Sequence, residues 1–128
     1  MDPVAGLVFG VGLVTLGAMI HYVKSQVASG NIERNSMIGI RTKATMSSDD
    51  AWKAGHASAS PLLMVAYLTA YSVGAVSLAI SLALSLSDAE NPAVIIVPLV
   101  GIVVVLALLA TAAGRANSAA RAAGPEGG

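Results

Sequence analysis

The sequence predicts an all-α membrane protein with three transmembrane helices, and three observations predict it. Of the 128 residues 55% are hydrophobic and only 11% charged, under half of the roughly 25% charged residues usual in soluble domains. Three long stretches, residues 4–23, 61–86 and 93–114, contain no Asp, Glu, Lys or Arg. All seven basic residues (Lys24, Arg34, Arg41, Lys43, Lys53, Arg115 and Arg121) fall outside those stretches, in two segments only.

The first stretch spans about 30 Å as a helix, the thickness of a bilayer's hydrocarbon core. His21 and Tyr22 are ionisable side chains at its end, and Lys24 closes the apolar run. Asp2 is the only charged side chain before it, and the run exceeds the about 7–15 apolar residues of a signal peptide. It is therefore expected to stay in the mature protein. The second stretch opens on Ser60 and Pro61, which suit a helix start, and it is long enough to tilt. The third is closed by Arg115, with Pro98 expected to kink its first turns slightly. Its β-branched residues (Val94 to Val97, Ile102 to Val105) favour strand in water. In lipid, the length of the run and the need to satisfy every backbone group decide for helix. Residues 1–114 thus form the expected membrane module, with a loop at 24–60 and a turn at 87–92. Residues 115–128, rich in Ala and Gly, are expected to be a flexible tail.

Orientation follows from charge. With three spans, the first loop and the tail share a side and carry all seven basic residues, whereas the other side carries Asp2, Asp88 and Glu90. Positively charged loops stay in the cytoplasm, so the N-terminus is expected outside and the C-terminus in the cytoplasm. Absence of cysteine removes disulfides, thiolate catalysis and cysteine metal sites.

Small residues form stripes along the spans. Gly6, Gly10 and Gly17 share a face of the first, and Ala66, Ala70, Gly74, Ser77, Ser81 and Ser85 step by three or four along the second. Such stripes let helix backbones approach closely, and serine hydroxyls bond across the contact. Packing among the three helices is the expectation, with a specific oligomer contact as the alternative.

The first loop holds most of the polar chemistry. Ser47 and Asp50 resemble a capping box, and either Ser47 or Ser48 suits the cap of a short amphipathic helix from about Asp49. Asp49 and Asp50 would face its positive end, and Trp52 and His56, four apart, share a face. Residues 37–40 are apolar but too short to span, so they are expected to lie at the interface or fold back on the helices.

At these residues the chain resembles the SdpI family of bacterial membrane proteins. The family pattern of Asn, Gly-Ile-Arg-Thr, Thr, Ser, Trp and His is met in order by Asn35, Gly39, Ile40, Arg41, Thr42, Thr45, Ser48, Trp52 and His56. Lys43 stands where many members carry Pro. The resemblance implies a non-enzymatic plasma-membrane protein. Its founding member confers immunity to a secreted toxic peptide and holds a cytoplasmic repressor at the membrane.

Asn35, Gly39, Arg41, Thr42, Thr45, Ser48, Trp52 and His56 are accordingly the candidate partner-binding surface. Arg41 suits bidentate recognition of an acidic group or lipid phosphate; an anchor on anionic lipid or an ion pair with Asp49 or Asp50 is equally open. Trp52 is expected as an interfacial anchor, His56 in a hydrogen-bonded structural role, and Gly39 at a turn or close approach. His21 and His56 alone make a poor zinc site, and no cofactor is expected. Adjacent Asp49 and Asp50 do not face each other across a substrate. Ser47 and Ser48 lack a nucleophile elbow, and the spans lack the ionisable groups of a transport path. Nucleic-acid binding does not suit a net charge of zero. The expected partners are the lipid bilayer and a protein in the membrane or cytoplasm. The rival expectation is a small accessory subunit docking onto a larger membrane complex.

Overall fold

A computed structural model describes residues 2–33 and 38–123. Three α-helices follow in chain order: α1 at Pro3–Ala28, α2 at Asp49–Leu86 and α3 at Ala93–Ala123, with a 3₁₀ turn at Thr45–Ser47 before α2. All three are long and apolar enough to cross a membrane. Large apolar side chains such as Val8, Met19, Leu82 and Val103 are more than half exposed along them. In water these would be a costly patch; against acyl chains they are in their preferred solvent.

The termini of the helices are made by local chemistry. The Asp2 carboxylate accepts the Val4 N–H at 2.9 Å at the start of α1, and Asn91 accepts the Ala93 N–H at 2.9 Å at the start of α3. Pro3 and Pro92 follow these caps, where a missing N–H is harmless. Lys24 ends the apolar run but not the helix. α1 stops at Gly30, whose φ of 83° places it in the left-handed region, and Asn31 N–H closes the end on the Gln26 carbonyl at 2.9 Å. Asp88 takes the same left-handed role after α2, at φ 54°, with Ala89 N–H on the Leu84 carbonyl at 3.0 Å.

Two expected boundaries are corrected. The short helix at Asp49 and the second span are one continuous 38-residue helix, with Pro61 inside it. A proline in a helix interior costs about 3 kcal/mol. A break at Ser60 would instead leave up to four N–H and four C=O groups needing new partners beside the apolar stretch. The single defect is the cheaper solution, and Pro61 is on an exposed face. The tail is likewise helical as far as Ala123, because alanine is the best helix former and Ala116 and Ala120 are fully buried; residues 124–128 lie outside the described residues.

The chain divides into two compact units. In the unit of residues 1–19 and 66–107, the helices meet through small residues. A methyl group added at Gly10 would come 3.2 Å from the Gly74 carbonyl oxygen, and one at Gly6 would collide with Val94 and Ser81. Gly17 sits against Ala70 and the Tyr67 carbonyl, and Gly74 against Val14. Ala70 and Ser77 are fully buried. The Ser77 hydroxyl donates to its own helix, at the Val73 carbonyl (2.8 Å), rather than across the contact. Ser81 does cross it, donating to the Pro3 carbonyl. The second unit comprises residues 20–65 and 108–128. Its core is Ile20, Ile32, Trp52, Leu63 and the alanines Ala51, Ala59, Ala112, Ala116 and Ala120.

Candidate functional site

The motif residues sit in this second unit, where the loop is folded onto the first turns of α2. Ser48, rather than Ser47, caps the helix: its hydroxyl accepts the Ala51 N–H at 3.0 Å, while its carbonyl accepts the Trp52 N–H. Residue Ala51, not Asp50, occupies the third helical position, so no reciprocal capping box forms. Asp49 and Asp50 occupy the first turn, where negative charge suits the helix dipole.

Once α2 is set, Trp52 and His56, one turn apart, pack with ring centroids 4.1 Å apart and planes tilted by 41°. Gly39 lies directly on this pair. Its φ is 118°, and a Cβ there would come 2.7 Å from the indole and 3.1 Å from His56 Nε2. Both the backbone conformation and the space demand glycine. This close approach lets the next residue reach the imidazole: Ile40 N–H donates to His56 Nε2 at 2.9 Å. Because Nε2 accepts, the ring proton is on Nδ1, which donates to the Trp52 carbonyl at 2.8 Å. The neutral imidazole is therefore the form that fits. His56 precedes the apolar stretch that starts at Pro61. Burial pushes its pKa below the usual 6.5, and the bond to the Trp52 carbonyl opposes part of that shift.

Thr45 fixes the other end of the loop. Its hydroxyl donates to the Ile40 carbonyl at 2.7 Å and accepts the Thr42 N–H at 2.9 Å, while Thr45 N–H returns to the Thr42 hydroxyl at 3.1 Å. Ile40 thus has both backbone groups bonded to buried side chains. Trp52 Nε1–H points to the Ile32 carbonyl at 3.4 Å, a long bond that draws the start of the loop to the same centre. Among the described residues no buried side-chain N or O lacks a partner, which is the condition for burying this many polar groups without penalty.

Burial corrects the picture of these residues as a contact surface. Thr45, Ser48, Trp52 and His56 are at most 5% exposed; they are the frame, and Trp52 is not an interfacial anchor. Gly39 and Thr42 are half-buried, and Arg41 and Lys43 are exposed. Asn35 lies outside the described residues. Sequence reasoning missed Gly55, where a Cβ would come 2.9 Å from both the Ala116 carbonyl oxygen and the Thr45 methyl group. An isolated glycine inside a helical pattern was the available signal.

Three membrane-crossing helices with a hydrogen-bonded loop folded on the second define a small α-helical membrane module. The chain matches the family described as the SdpI/YfhL protein family over residues 31–112, well over half its length, and it belongs to that family. The matched segment takes in the described motif residues, all of α2 and most of α3, and leaves out α1. No curated protein and no solved structure matches it.

Proposed function

We propose that the chain is a non-enzymatic membrane module of SdpI type in a bacterial plasma membrane, its N-terminus outside and its C-terminus cytoplasmic. Support for the orientation is the split of seven basic residues against none. Family membership supports an immunity-type membrane role. The activity proposed is protection against a membrane-active toxin, or retention of a cytoplasmic regulator at the membrane, through the surface around Arg41.

One observation carries this reading. Arg41 is exposed, while its neighbours Ile40 and Thr42 are pinned by backbone bonds to His56 and Thr45. Holding the backbone on both sides of Arg41 removes the loop's part of the ordering cost, and the planar guanidinium fork favours bidentate recognition of an acidic group.

The test compares Arg41→Ala and Arg41→Lys for membrane abundance, partner pull-down and toxin survival. Abundance should hold, since the apolar spans carry insertion. Lysine keeps the charge and loses the fork, so it should fail to restore binding or survival. Full activity of Arg41→Ala at normal abundance overturns the proposal. Stoichiometric co-purification with a large membrane complex would favour an accessory subunit instead.

A further inference from the structure

A cavity of about 390 Å³ opens between the last turns of α1 and the first turns of α2. Lys24, Lys53 and Ser60 line it together with the apolar Val27, Ala57 and Leu63. No Asp or Glu is among the residues that line it. Two lysines and a serine therefore share the lining of one cavity with apolar side chains, and no carboxylate is among its lining residues. Lys24 ends the first apolar stretch and Ser60 immediately precedes the second, so the cavity is at the height where headgroups meet acyl chains.

We propose that this cavity is a binding site for an anionic phospholipid, with the phosphate held by Lys24, Lys53 and Ser60, the glycerol beside Val27 and Ala57, and the upper acyl chain against Leu63, one turn deeper than Ser60. Basic pockets between transmembrane helices take such headgroups, and the apolar wall distinguishes an amphiphile from free phosphate. The site rests only on the helices crossing a bilayer; it holds for either orientation and needs no role for Arg41.

Native mass spectrometry of the purified full chain in mixed micelles tests this, with phosphatidylglycerol or phosphatidylcholine at equal mole fraction. Wild type should retain phosphatidylglycerol in preference. A basic side chain near an anionic surface is worth about fivefold, so Lys24→Gln with Lys53→Gln should lose roughly 25- to 30-fold. Lys43→Gln with Arg115→Gln removes the same charge elsewhere and should keep the preference. Ala57→Phe fills the cavity at unchanged charge and should also abolish retention. Unchanged Trp52 emission in each variant verifies that the loop is folded. Equal retention of both lipids by wild type, equal loss in the Lys43/Arg115 control, or displacement by millimolar inorganic phosphate would each overturn the proposal. Loss of Arg41-dependent partner binding leaves these lipid counts untouched, so the two readings fail separately.

Discussion

His56 Nε2 accepts the backbone N–H of Ile40 across 16 residues of chain, at 2.9 Å. That bond, with the Trp52 carbonyl on the opposite ring nitrogen, makes the imidazole a strut between loop and helix rather than a titrating surface group. The arrangement works only for the neutral ring, because a proton on Nε2 would face the Ile40 N–H.

This sets a pH dependence. Folded His56 takes up a proton less readily than an unfolded imidazole of pKa 6.5, so its contribution to stability is complete above that value. It is lost as pH falls from there through the depressed folded pKa. Loop order, followed by Trp52 emission, should weaken on acidification below about 6.5. A His56→Asn variant should be less ordered at neutral pH and flat across the same range. An unchanged acid response in that variant would assign the titration to another group.

Gly39→Ala should disorder the loop. The added methyl group meets a rigid indole and forces an L side chain into a positive-φ conformation, at a cost of about 1–3 kcal/mol for the backbone alone. The expected readouts are a red-shifted Trp52 emission and faster proteolysis at Arg41 and Lys43. Retention of the wild-type spectrum would show that the loop does not press on Trp52.

Trp52→Ala should behave similarly and more severely, by about 3–5 kcal/mol, the range for emptying a buried aromatic site. The loop should open while the protein still inserts, since Trp52 precedes the apolar stretch. Loss of partner binding in this variant therefore reports the frame; only Arg41 substitutions report the contact.

Ser48→Ala removes the cap of α2 and should cost about 1 kcal/mol. Ser47, whose hydroxyl bonds the Ala44 carbonyl at 2.6 Å, should cost less when changed to alanine. Thermal denaturation in detergent, with the two variants compared side by side, decides between them; a larger loss for Ser47 would move the cap.

The orientation is checked with a reporter active only in the cytoplasm. Fused after Gly128 it should work, and inserted between Asp88 and Asn91 it should be silent. The reverse pattern would overturn the argument from the basic residues.

The three helices were legible without any structure. Each is specified by an uninterrupted apolar run, and lipid leaves such a run no other way to satisfy its backbone. The motif from Gly39 to His56 was legible too, as an ordered set of unusual residue types, and so were the small residues that face each other at Gly10 and Gly74. What only the tertiary structure decided is which way those residues point and where the helices end. Pro61 reads as a helix start in sequence, yet α2 runs through it because Ser48 supplies the cap earlier and a break would strand more backbone groups than one proline does. Ala116 and Ala120 read as tail, yet they are fully buried. Trp52 reads as an interfacial side chain, yet Gly39 and the His56 ring close over it, and Arg41 is left outside. Apolar length is a local sum against a uniform solvent, so it can be read one window at a time. The direction of a side chain is set by partners such as Ile40 and His56, 16 residues apart, and no local period in the sequence records that pairing.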